Sequence, residues 1–316
     1  MAFTAGLNPE IIRAFALEAL AKNIAFWNRA RNADGDVIMG QKVWHPNLAA
    51  PAAIVRNRTV LPAIIGQKVD VTTDYTLDNY STDPVLVSFL EGIFTYDKYN
   101  QHMGQDMRAV SEDIAGMLLY YWAANVPAAY IIRTKAASDS VAPHIPGATG
   151  NRRAVVPADF KEARQVMTKA SIPQEGRIAV IDTDMLGTLT DNFLNTTNRD
   201  YTSIYNPSTG KLEKLEGFEI IEVPFAMAFS NAGTPAALTP ITDGGGRVTD
   251  FGAAANGGAL LYHPDFVERA VGDLKVFENL DDATMYGSYY STAIWAGGRS
   301  IRYDNKGVLA LVQLHV

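Results

Sequence analysis

The stretch KVDVTTDYTLDNYSTDPVLV, residues 68–87, alternates so strictly that it can only be extended chain. Val69, Val71, Thr73, Tyr75 and Leu77 fall on one side, and Lys68, Asp70, Thr72, Asp74, Thr76 and Asp78 on the other. That is the period of two a half-buried strand requires. The pattern predicts a long two-stranded ribbon in which DNYSTDP turns the chain and VLVSF returns as the second strand. An isolated hairpin is marginal in water, so the apolar side needs a cover. Either the ribbon folds back on its own domain or it lies on another molecule.

The segments around the ribbon change period. Asn8 and Pro9 form an N-cap and first-turn pair, and Ile11, Ile12, Phe15, Ala19, Leu20, Ile24 and Trp27 follow at helical spacing, which predicts an amphipathic helix over 8–31. From Tyr99 to Asn125 the period is again helical: Met103, Met107, Val110, Ile114, Met117 and Tyr121 step by four and three, and Pro127 ends the run. Residues 134–156 read as loop with a closing strand. A compact α/β section follows, with helix PADFKEARQVMTKA, strand RIAVI, helix DMLGTLTDNF and strand FEIIEV. Residues 230–258 are rich in Gly, Ala, Thr and Pro and read as a long loop. GALLYHPDFVERAV reads as a strand then a helix. SYYSTAIWA, RSIRY and VLALVQLHV read as three strands joined at Gly297-Gly298 and DNKG.

Composition limits what such a chain can do. With 316 residues, 47% hydrophobic and 19% charged, it can bury a full core. The net charge of −7 comes without a basic block, which argues against groove-type nucleic-acid binding. The absence of Cys excludes disulfides, thiolate metal sites and a thiol nucleophile. MAFTAGLNPEIIRAF has charges where a signal peptide needs an apolar run. AGMLLYYWAANVPAAYII, residues 115–132, is interrupted by Asn125 and Pro127 and continues an amphipathic helix, so it reads as buried core and no membrane is expected.

One stretch resembles part of an enzyme. SIPQEGRIAVIDTDMLGTL, residues 171–189, ends an apolar run in Asp182 and Asp184, where an α/β fold would hold a catalytic carboxylate. Catalysis would need a base, a metal ligand or a cofactor loop nearby, whereas capping the next helix needs nothing more. His45, His102, His144, His263 and His315 show no i, i+4 pair for a metal. NPSTGKLE lacks the first glycine of a phosphate loop and puts Leu212 where Ser or Thr should be, and it reads as a hairpin turn. Gly244, Gly245 and Gly246 do not open a helix, and no G-x-S-x-G elbow is present. The expectation is a chain that is not an enzyme, with no catalytic residue, cofactor or metal.

The order of elements says more than any motif. An N-terminal helical arm, a long ribbon, a long amphipathic helix, a compact α/β section and returning C-terminal strands together resemble the major capsid protein of tailed double-stranded DNA bacteriophages, the α+β Hong Kong 97-type (HK97-like) fold. FTYDKYNQHMGQDMRAVSEDIAGMLLYYWAA is similar to the strand entering that family's spine helix. SIPQEGRIAVIDTDMLGTL is similar to the opening of its axial domain, and GFEIIEVP, GALLYHPDFVERAV and YYSTAIWAGGRSIRYDNKGVLALV to its later strands.

The resemblance implies a division of labour. Residues 1–37 would be an arm embracing a neighbour, and 38–98 would include an extended loop over an adjacent subunit. Residues 99–156 and 283–316 would form the peripheral domain around the spine helix, and 157–282 the axial domain. Val69, Val71, Tyr75 and Leu77 would be buried against a partner chain. Partners would be other copies in pentamers and hexamers, with portal, scaffolding and decoration proteins, and double-stranded DNA enclosed without specific recognition. The protein would reside in the virion capsid after assembly in the host cytoplasm. Some family members cross-link Lys to Asn; Lys68 is the sole lysine between Lys42 and Lys98, and a solvated lysine is the plainer reading. An encapsulin-type shell and a cytoplasmic α/β enzyme are the alternatives.

Overall fold

The structure, a computed structural model, describes residues 26–38, 41–47, 54–59, 61, 71–88, 96–136, 140–195, 205–206, 211–224, 227–229, 253–272, 274–282, 284–302 and 304–315. In chain order its main elements are β1 (Lys42–Asn47), β2 (Val71–Thr76), β3 (Asp78–Ser81), β4 (Val85–Ser88), α1 (Tyr96–Ala123), β5 (Ile131–Arg133), α2 (Pro157–Lys169), β6 (Arg177–Asp182), α3 (Thr183–Asn195), β7 (Phe218–Val223), β8 (Met227–Phe229), β9 (Asn256–Tyr262), β10 (Val267–Val271), β11 (Lys275–Asp282), β12 (Gly287–Ser300) and β13 (Val308–Val312).

Two sheets share the long helix. In the first, β12 runs down the middle for 14 residues, roughly 45 Å of extended chain. β10 and β11 follow each other along one of its edges, and β3 and β4 along the other. The short strand Arg31–Asn32 adds in parallel to β10. The second sheet has the order β7-β6-β9-β13-β5, with β6 parallel to β7 and antiparallel to β9. The apolar runs IAVI, ALLY and VLALV follow from burial on both faces of this sheet. Ile178, Val180, Leu260, Tyr262, Val308 and Ala310 join the core containing α1. Ala179, Ile181, Leu261, Leu309 and Leu311 join the one containing α2 and α3.

Helix α1 spans 28 residues, roughly 40 Å. Its buried stripe of Met107, Ser111, Ile114, Leu118 and Trp122 steps by four and three, with Arg108 and Glu112 exposed. Trp122 meets Phe26 edge-on and Tyr262 at 4.9 Å. Its indole N–H donates to the Glu268 carbonyl at 2.9 Å, tying the helix to β10.

Several expectations from sequence are corrected by pairing. β2 does not turn back on the residues that follow it: it pairs with β1, from Lys42↔Thr76 to Asn47↔Val71. DNYS, expected as a turn, is strand β3 against β12. The reason is that the edge of β12 satisfies its backbone along its length, with only a one-residue register shift between Ser81 and Val85. Gly297-Gly298 is no turn either; β12 runs straight through it. VERAV is strand β10, not helix, because β12 and Arg31–Asn32 flank it. β11 was not anticipated. The helix expected over 8–31 lies mostly outside the described residues, and its end is a 3₁₀ turn at Trp27–Arg29. Most of the 230–258 loop lies outside them too. The boundary expected at 282/283 falls inside the first sheet, since β10 and β11 pair with β12, whereas β13 belongs to the second.

Candidate assembly surface

The ribbon β1–β2 is fixed to the first sheet at its base. The side facing the first sheet carries Val43, Tyr75 and Leu77, which pack with Ala33, Ala270, Val37 and Trp295. Small residues at 33 and 270 leave the slot that Leu77 fills. On the other side, Lys42 meets Asp74 at 2.6 Å and stands over the Trp44 ring. The ion pair lowers the Asp74 carboxyl from its ordinary value. Arg299 donates to the Asp74 carbonyl at 2.6 Å, and the Leu77 N–H donates to Gln41 at 2.8 Å.

One buried acid joins both strands of the ribbon to the first sheet. Glu268 lies on β10 with its side chain almost wholly covered. The Tyr75 hydroxyl donates to its Oε1 at 3.1 Å, and His45 Nδ1 lies 3.3 Å from Oε2. Arg31 Nε stands 4.0 Å from Oε2, at the solvent edge. Burial pushes the Glu268 carboxyl up, while His45, Tyr75 and Arg31 oppose the shift. Burial likewise raises the Tyr75 hydroxyl, so it stays protonated and donates. Removing a partner from so covered a group leaves a costly orphan, so this cluster sets how the ribbon leaves the body.

Each residue expected at a subunit interface can now be placed. Val69 and Lys68 lie outside the described residues. Val71 is the first residue of β2, opposite Asn47. Tyr75 is half-buried and Leu77 only 3% exposed, both covered by their own chain. The face expected to lie on a neighbour is therefore occupied at 75 and 77, because the body supplies the cover that the isolated ribbon lacks.

Different residues stand open. Among the described residues, the exposed large hydrophobic side chains fall in two groups. Trp44, Ile54, Val55 and Leu61 belong to the ribbon and the segment beyond it. Leu86, Phe277, Met285 and Tyr286 lie at one end of the first sheet. The sequence held one signal for the first group, since residues 37–69 contain Lys42, Arg56, Arg58 and Lys68 and no acid.

Of the two acids at the end of IAVI, both expected as helix caps, the structure shows Asp182 in that role. Asp182 Oδ1 accepts the Met185 N–H at 2.6 Å and caps α3, and burial pushes its carboxyl up to about 6. Asp184 is exposed, 3.8 Å from His144. Asp159 accepts the Val156 and Lys135 N–H groups at the start of α2 and is also raised by burial, to about 6. His263 accepts the Asp265 N–H and contacts the Glu175 carbonyl at 3.0 Å. Among the described residues no group of three or more His, Cys, Asp and Glu is placed to hold a metal, and no helix is long and apolar enough to cross a membrane.

No protein-family model matches the sequence, and no curated protein matches it. Solved structures do match. One from Mycobacterium phage Che8 gives a TM-score of 0.59 at 16% identity, over 90% of this chain and 90% of that one. The capsid structure of Cyanophage P-SCSP1u gives 0.60 at 15% identity, over 90% and 86%. The virus-like particle from Pyrococcus furiosus gives 0.51 at 9% identity, over 96% and 98%. Together with a long helix laid across the six-stranded first sheet and a ribbon joined to it, these likenesses establish that the chain has the Hong Kong 97-type capsid fold.

Proposed function

We propose that this chain is the major capsid protein of a tailed phage, a structural subunit that closes with many copies of itself into an icosahedral shell around double-stranded DNA. The observation that carries this reading is the coexistence, on a fold shared with phage capsids, of two well-packed cores and two separated sets of exposed large apolar side chains. A self-contained molecule has no use for such a pair, whereas a head-to-tail contact between copies needs two different surfaces. Repetition of that contact generates pentamers and hexamers, and each modest interface gains from the others.

The parts take roles accordingly. Residues 1–37 are the arm and 38–98 contain the extended loop. α1 and the first sheet form the peripheral region, which takes in β10 and β11 as well as β12. The second sheet with α2 and α3 forms the axial region, with β6 to β9 from within 157–282 and with β5 and β13 added from either side of it. Portal, scaffolding and decoration proteins are further partners, and the location is the virion, with assembly in the host cytoplasm. A net charge of −7 suits a container that holds DNA without gripping it. The chain performs no catalysis in this reading.

The near-complete mutual coverage with the Pyrococcus furiosus virus-like particle favours one second reading, an encapsulin-type shell around protein cargo. Electron microscopy and light scattering of the purified protein test the shell, with closed megadalton particles expected. A small soluble oligomer would count against both readings. Double-stranded DNA inside particles from the native source separates the first from the second.

A further inference from the structure

The ribbon rests on a row of three charged residues. Glu268 of β10 stands in register between Arg31 on one side and Arg299 of β12 on the other. Residues directly opposite one another project to the same face of a sheet. That face is the one the ribbon covers, since Ala270, two residues on, packs with Val43 and Leu77. Arg299 is turned to the ribbon's backbone: it donates to the Asp74 carbonyl at 2.6 Å, and its Nε is buried without a partner. Arg31 is half exposed and reaches Glu268 Oε2 only at 4.0 Å.

The Glu268 carboxylate is met mainly by the ribbon itself. Its Oε1 accepts from the Tyr75 hydroxyl of β2 at 3.1 Å. Its Oε2 is buried with no hydrogen-bond partner, and His45 Nδ1 of β1 stands 3.3 Å away on a side chain 14% exposed. A charged imidazole there forms an ion pair with the carboxylate, whereas a neutral one leaves a covered negative charge short of a counter-charge. The other charges nearby do not replace it. Asp36 acts against ionisation of Glu268, and Asp34 is engaged by the Val271 N–H at 2.8 Å and by Arg269 at 3.8 Å. Lys42 is paired with Asp74, and α1 meets Glu268 through the Trp122 indole.

We propose that Glu268 and His45 form a pH-sensitive latch between the ribbon and the first sheet, closed in mildly acidic solution and loosened as the pH rises through neutrality. Histidine is the side chain that ordinarily changes charge in this range. Two effects share one sign. Burial raises the Glu268 carboxyl, so the stability it contributes is complete below the ordinary carboxylate range and is lost as the pH rises through the folded value. Loss of the imidazole proton removes the ion pair in the same direction. The Tyr75 hydroxyl, also raised by burial, keeps its proton throughout.

Hydrogen exchange of the β1 and β2 amides in the full chain reads the latch, with each rate divided by that of the free peptide at the same pH. Protection is expected to fall at least about threefold from about pH 5.5 to about pH 8, relative to the amides of β9 and β13. Glu268→Gln and His45→Gln should each remove this pH dependence, and a merely structural role would instead lower protection equally at every pH. His45→Gln alone suffices where Glu268→Gln does not fold. Wild-type protection that stays flat or rises with pH, or a His45→Gln chain that keeps the full dependence, overturns the latch. Because the latch lies within one subunit, these outcomes are separate from whether shells form.

Discussion

Gly298 lies where β12 passes beneath α1. A Cβ there would stand 2.6 Å from the Glu268 carbonyl oxygen, 2.6 Å from Leu118 Cδ1 and 3.0 Å from Trp122 Nε1. Backbone cannot yield as a side-chain tip can, so Gly298→Ala is expected to destabilise the unassembled subunit by about 1–3 kcal/mol. Gly187, exposed in α3 with nothing within 4 Å of a Cβ, is the control: Gly187→Ala should stabilise by about 0.5–1 kcal/mol. Chemical denaturation reads both, and the same sign for the two would refute the packing argument. The Gly297-Gly298 pair also shows where sequence reading stops. Two glycines between apolar runs look like a turn, and only Leu77 against Gly297 and the Trp122 indole against Gly298 reveal close approach. Asp182 was legible because a cap is a local interaction. In SIPQEGR, Arg177 is buried and donates to the Pro173 and Ile172 carbonyls at 2.7 and 2.8 Å, while Gly176 takes φ 78° to close the turn. The motif is thus a folding device for the entry to β6.

At the scale of elements, period was readable and partnership was not. The alternation in 71–77 did mark which side is covered, and α1, α2, β6, α3 and β7 stand where their patterns put them, because periodicity and capping are written within a few residues. Which strand lies beside which depends on edges supplied from far along the chain: β2 found β1, and β3 found β12, more than 200 residues away. The same long-range edge turned VERAV from expected helix to strand. Since Leu77 fills a slot within its own chain, Leu77→Asp should destabilise the isolated subunit by at least about 3 kcal/mol, by burying an unpaired charge. Unfolding curves of the unassembled chain test this. A variant that folds like wild type and fails only in assembly would return Leu77 to an interface between copies.

Considered as a whole, the molecule has its order of elements visible in the sequence, and its exposed surfaces were not. Ile54, Val55 and Leu61 sit in a segment without periodicity, and β11 was not recognised, so neither patch could be located before the sheets were assembled. Replacing the three with serine should leave the subunit's own stability within about 0.5 kcal/mol of wild type, as these side chains touch little of their own chain. Particle yield should fall at least about tenfold, since each lost apolar contact is worth on the order of 1.5 kcal/mol. Gradient sedimentation beside a melting curve separates the two effects, and undiminished particles would argue that the segment is not a contact. The covered carboxylate of Glu268 has one more consequence. Its side chain is held by both strands of the ribbon, and its own carbonyl by the Trp122 indole. Displacement of β1 and β2 against the first sheet is therefore passed through one residue straight into the longest rod of the body, which makes that point a pivot, and makes Trp122 fluorescence, with Trp27, Trp44 and Trp295 replaced by Phe, a gauge for the displacement.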